Sequence, residues 1–295
     1  MKKNLVKKAL LPAIAALLCS VIALTSVSYA WFSLGTEASV DGMKMEVTSV
    51  GGLQVSADGS NFKDDLVLSD LVGKGINHFP TETEGKLETF MPVSTDGKAD
   101  KGVLSFVTAQ VVNGATGEIS ADGVDGQYIV FDFYVLVTND TTLRLDADSV
   151  VASTNDKESH LSSRVAFLLL GTEDTAEDAK TIGVEDGIEA ASGQAKIWEP
   201  YKTTRSEAYI SKFGSANDNK AMAYSALYED GTESATIATF DLDTNPQDLF
   251  ALEAGYSKIR VYIWVEGQDV DCINGADGGA FDIELHFSIP SNNNQ

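Results

Sequence analysis

Residues 129–137 read Ile-Val-Phe-Asp-Phe-Tyr-Val-Leu-Val, with Ile129, Phe131, Phe133, Val135 and Val137 at every second position. Side chains of a β-strand point alternately to its two faces, so this period predicts a strand that buries one face. Two later stretches repeat it. Ile259, Val261, Ile263 and Val265 alternate with Arg260, Tyr262, Trp264 and Glu266, and Phe281, Ile283, Leu285, Phe287 and Ile289 alternate with Asp282, Glu284, His286 and Ser288. A slip of one residue would turn all of these large apolar groups to water, so the registers are strongly specified.

Working outward, further strands are expected over residues 38–50, 52–56, 103–112, 143–152, 164–170, 195–198 and 235–242. Turn-forming clusters of Gly, Asp and Asn at 57–61, 113–117 and 122–126 separate several of them. Helical signal is confined to short stretches at 64–72, 174–180 and 245–252. Many strands with few helices predict an all-β protein, an antiparallel jelly-roll-like β-sandwich with long loop insertions and a few short helices. Residues 73–101, rich in Gly, Thr, Glu and Lys, and residues 171–193, acidic and rich in small residues, read as surface excursions from one sandwich. Residues 201–233 fit neither period.

The chain has 295 residues, 43% of them hydrophobic and 22% charged, enough apolar material for a packed core. Lys2, Lys3, Lys7 and Lys8 precede an apolar run over residues 9–24, and Ser28-Tyr29-Ala30 offers small residues at the −3 and −1 positions of a cleavage site. This pattern predicts a secretory signal peptide over residues 1–30. The apolar run is shorter than the ~20 residues of a spanning helix, so no stable membrane anchor is expected after cleavage. Leu18 before Cys19, in place of a small residue, argues against a lipoprotein signal.

Loss of residues 1–30 removes four lysines and shifts the net charge from −23 to −27. Nucleic-acid binding needs clustered Lys and Arg, which this chain lacks, so that class is excluded as an expectation. Cys272 would be the only remaining thiol, which predicts no intramolecular disulfide and suits a small buried hydrophobe. Residues 291–295 are a polar tail without an LPxTG-type sorting motif. The expected organisation is signal peptide 1–30, extended segment 31–40, sandwich 41–290 and tail 291–295, in a secreted protein held at the cell surface by non-covalent assembly.

Chemistry-bearing motifs are sparse. His78, His160 and His286 are the only histidines, without an HExxH or GxSxG context, and there is no phosphate-binding GxxxxGK[ST] loop and no CxxC pair. No enzymatic activity and no tightly held cofactor are expected. Glu266, Asp269 and Asp271 cluster after a strand and are the calcium candidates, because calcium takes six to eight oxygen ligands; a solvated turn is the competing reading. Trp198, Tyr201, Tyr209 and Trp264 are candidate stacking platforms for a carbohydrate or another surface, with core packing as the competing reading.

The junction Ser28-Tyr29-Ala30-Trp31-Phe32-Ser33, followed by a polar stretch and the alternating strand from Val40 to Val47, resembles the start of the TasA/camelysin-like family of exported bacterial fibre proteins, to which archaeal bundling pilins are related. The resemblance rests on roughly the first fifty residues. It implies a jelly-roll subunit whose freed N-terminal segment completes the sheet of the next subunit, so that self-association into filaments is the expected partnership. The matching segment runs from Trp31 to Val40, with Trp31, Phe32 and Leu34 as apolar anchors; folding back on their own domain is the alternative for these side chains. Camelysin-like relatives have been labelled peptidases, but the residues such chemistry needs are missing here. The main expectation is thus a secreted structural surface or matrix protein, and the rival is a secreted carbohydrate- or surface-binding module.

Overall fold

The computed structural model describes residues 38–48, 52–71, 82–83, 86–90, 92–109, 119–120, 128–201, 239–242, 244–266, 272 and 278–290. Alternating apolar residues dominate these stretches, and the architecture is an all-β sandwich. One sheet has the order β16 (Gln247–Leu252), β10 (Thr141–Leu145), β18 (Gly279–Ser288), β1 (Ala38–Val47), β5 (Lys86–Phe90), β4 (Glu82–Thr83), with β11 (Val150–Ser153) also on β18 and β3 (Asp65–Val67) also on β1. The facing sheet runs β15 (Thr239–Phe240), β14 (Lys196–Trp198), β12 (Ser163–Glu173), β17 (Gly255–Val265), β9 (Ile129–Val137), β2 (Gln54–Ser56). Most pairings are antiparallel, but β1 and β18 run parallel, as do β14 and β15.

The predicted inward sets meet between the two sheets. Phe131, Phe133, Ile259, Val261 and Ile263 pack with Val40, Met45, Phe281, Ile283, Leu285 and Phe287 in one buried cluster. Phe287 touches both Phe133 and Phe167, with ring centroids 5.6 and 5.9 Å away, so one side chain joins the layers.

A third layer departs from the expectation of one buried face per strand. Residues 73–101 and 171–193 contribute more than surface excursions: β6 (Ser94–Asp100) pairs with β7 (Val103–Ala109) and with β13 (Gly193–Gln194), and β8 (Ile119–Ser120) extends this small sheet. Together with the helix Ala176–Thr181 it covers the second face of the sheet built on β17. Tyr262 and Trp264, on the alternation class opposite the core, are therefore 2% and 1% exposed. Thr175 caps that helix, its Oγ1 accepting from the Asp178 N–H at 3.1 Å.

Of residues 245–252, Gln247–Leu252 form a strand in place of the expected helix. Leu249 and Leu252, three apart, are both buried, which is a helical spacing. A bulge produces it: Phe250 opposes Leu143 and Asp248 opposes Arg144, leaving Leu249 as the extra residue that shifts the phase. Among the described residues of 64–72 there is a four-residue helical turn, Leu68–Leu71, after β3, and residues 143–152 divide into two strands around a turn.

Candidate functional site

The covered face of β17 carries a buried charge cluster. Asp132 on β9 lies opposite Arg260, and Lys258 is one alternation step away on the same face. Arg260 donates from Nε to Asp132 Oδ1 at 2.6 Å and from Nη2 to Oδ2 at 2.9 Å, a bidentate fork. Lys258 Nζ stands 3.5 Å from Asp132 Oδ2 and 5.6 Å from the centre of the Tyr134 ring. All three charged residues are less than 5% exposed.

The same cations reach out of the sheet and pin the third layer. Arg260 Nη1 donates to the Gly102 carbonyl at 3.1 Å, Lys258 Nζ donates to the Ile182 carbonyl at 2.7 Å, and the Tyr262 hydroxyl accepts from the Leu104 N–H at 3.2 Å. Gly102 has φ +76°, and a Cβ there would sit 2.7 Å from Leu170 Cδ2, so this close approach requires glycine. Burial pushes the Lys258 ammonium below its usual pKa; Asp132 opposes the shift and Arg260 adds to it. Burial, with the Asp132 charge, raises the Tyr134 hydroxyl to about 12. Chemically, the cluster locks two chain excursions onto one sheet.

A second buried pair fastens the opposite edge of that sheet. Arg164 Nη2 donates to Glu199 Oε1 at 2.9 Å, and Thr239 Oγ1 donates to Glu199 Oε2 at 2.6 Å, holding β15 against β14. Sequence reading missed both clusters. The signal was present, however: one acid and three bases sit within long alternating strands, on the positions shared with Tyr134, Tyr262 and Trp264.

On the open face of the other sheet, Glu46, Val47, Thr48, Asp64, Asp65, Asp148 and His286 line a shallow depression of about 460 Å³. His286 Nδ1 is 3.4 Å from Glu46 Oε2, and His286 Nε2 is 3.7 Å from Glu284 Oε2. Among the described residues no group of three or more His, Cys, Asp or Glu is arranged to hold a metal ion.

The anticipated site residues have separate fates. Glu266, one of the calcium candidates, is wholly buried and its Oε2 accepts from the Trp264 indole Nε1 at 3.0 Å, which corrects the solvated-turn reading for this carboxylate. Asp269 and Asp271 lie outside the described residues, as do Trp31, Phe32, Leu34, His78 and Tyr209. Trp198 is 2% exposed and Trp264 is buried too, so neither presents a ring to a sugar. Tyr201 is half-buried, and its hydroxyl donates to the Val151 carbonyl at 2.6 Å. Cys272 is buried, as its sequence reading anticipated.

His160 sits on a 3₁₀ turn, edge-on to Tyr201 with ring centroids 5.0 Å apart. Burial lowers its pKa, while the Lys157 backbone and the Glu158 charge act the other way. The unfolded chain therefore takes up this proton more readily than the folded one. The stabilisation is present above the unfolded pKa of about 6.5 and is lost as pH falls through the folded value. Thermal unfolding is expected to show the parent losing stability relative to His160→Phe below about pH 6.5; a difference between the two that is constant with pH would refute this.

Compared with protein-family models, with curated proteins and with solved structures, the chain matches none.

Proposed function

We propose that this protein is a secreted structural subunit of a cell surface or extracellular matrix, assembled into filaments through its N-terminal segment. The supporting observation is the position of β1. It begins at Ala38 and lies in the interior of its sheet, between β18 on one side and β5 and β3 on the other. Residues 38–40 are thus part of the subunit's own sheet, which shortens the segment available for exchange to residues 31–37. Those seven residues span at most about 24 Å when extended, so whatever grips Trp31, Phe32 and Leu34 is tied directly to the core of the subunit.

The described sheet edges favour a dedicated donor over casual edge-to-edge pairing. β16 is bulged, and its Asp248 accepts from Arg144 Nε at 2.7 Å. β2, β3 and β15 are two or three residues long, and the Val151 carbonyl of β11 accepts the Tyr201 hydroxyl. Short, charged or bulged edges suppress indiscriminate sheet extension. A segment carrying its own apolar anchors can still add main-chain hydrogen bonds and fill pockets. The resemblance to TasA/camelysin-like fibre proteins and the jelly-roll topology it implies belong to this proposal, as do export through the signal peptide and a role that is not enzymatic. Among the described residues no helix is long and apolar enough to cross a membrane.

Deleting Trp31–Leu34 from the exported protein tests the reading. The deletion leaves every described strand intact, so the sandwich should fold as before while filaments vanish from electron micrographs. Filaments as abundant as those of the parent would overturn the mechanism.

A further inference from the structure

The parallel pairing of the first and last long strands has a mechanical consequence. β1 and β18 are in register from Ala38 opposite Gly279 to Val47 opposite Phe287, and the Thr48 N–H extends the ladder to the Phe287 carbonyl at 2.9 Å. Neither is an edge strand, since β18 is also paired with β10 and β11. Opposed pulls applied at residues 37 and 290 draw β1 towards its N-terminal end and β18 towards its C-terminal end. In a parallel pair these forces run in opposite directions along the strand axes. The hydrogen bonds then bear the load together, in shear. Had the two strands been antiparallel, the same two ends would lie side by side and the ladder would open one bond at a time.

Two further features resist sliding. Val40, Met43, Met45 and Val47 on β1 and Phe281, Ile283, Leu285 and Phe287 on β18 are all buried in the central core, so a one-residue slip would turn them outward. The ladder also carries a bulge at Asp41, whose Oδ2 accepts from Thr154 Oγ1 at 2.6 Å. Beside it, a Cβ on Gly42 would come 3.0 Å from Asp282 Oδ1. A slip of β1 along β18 would draw Asp41 away from Thr154. We infer that the β1–β18 pair is a force-bearing clamp, resisting tension applied through the N-terminal segment far more strongly than tension applied across the strands.

The assembly reading supplies only the source of the load, and the test uses single molecules, so it succeeds or fails whether or not filaments form. Two handle placements are compared in the full-length chain with both native cysteines replaced (Cys19→Ser, Cys272→Ser). One pair is Glu37→Cys with Pro290→Cys, which loads the ladder in shear. The other is Thr48→Cys with Pro290→Cys, which grips the two strands at the same end and peels them apart. The rupture force in the first direction is expected to be several-fold higher, with equal melting temperatures for the two proteins. Equal rupture forces, or a weaker response in the first direction, would overturn the clamp.

Discussion

Replacing Asp132 by alanine is expected to destabilise the protein by about 3–5 kcal/mol, because Arg260 and Lys258 would remain buried with their shared carboxylate gone. For a domain of this size that corresponds to a fall on the order of 10 °C in melting temperature. The effect should come from uncompensated charge rather than from lost volume. A triple variant, Asp132→Leu with Lys258→Met and Arg260→Met, is therefore expected to regain part of the lost stability, because the buried charge is gone while the Gly102 and Ile182 carbonyls lose their donors. Calorimetry on the two variants separates the explanations. If the triple variant melts no higher than Asp132→Ala, unpaired charge is not the cause.

Phe287→Ala is the second large effect, with an expected loss of about 3–5 kcal/mol for a fully buried aromatic. Its ring contacts Phe133 on β9 and Phe167 on β12, so truncation opens a void between the two layers that neither rigid sheet can close by itself. Urea midpoints measured beside Val184→Ala, at a position 48% exposed, provide the scale; the surface change should stay within about 0.5 kcal/mol of the parent. A Phe287→Ala loss no larger than that would mean the layers are not joined there.

The two variants probe different faces of the same central sheet. Phe287 seals the core between the sandwich layers, whereas Asp132 holds Arg260 and Lys258, which pin the third layer by donating to the carbonyls of Gly102 and Ile182. Loss of Phe287 weakens the sandwich itself. Loss of Asp132 frees the chain around Ser94–Asp100 and Ala176–Thr181 and uncovers Tyr262 and Trp264. Uncovered aromatics would be adhesive, so the cluster also keeps those rings covered.

The alternation in 129–137, 258–266 and 281–289 was enough to identify three of the long inner strands and to name the core face of each, because a period of two is a local property of extended backbone. The same local pattern is silent about what lies over the other face. Arg260, Tyr262 and Trp264 read as a solvent side, since the chain that buries them comes from residues far away in sequence. The burial of Glu266 was hidden for the same reason: a carboxylate at the end of a strand reads as part of a solvated turn until Trp264, two residues earlier, is turned inward beneath the third layer. Residues 245–252 carried a helical spacing whose origin, a bulge, depends on the partner strand and cannot be seen within one segment.

Strand periodicity and the inward side chains are thus properties of short windows of sequence, and they were enough for the fold class, while the charge balance is a sum over the sequence that needs no structure. The direction in which β1 meets β18, the burial of Asp132 with two cations, and the closing of a third layer over the central sheet were decided only by tertiary structure. Each of these depends on which distant segments become neighbours, and that choice is made by the packing of the whole chain.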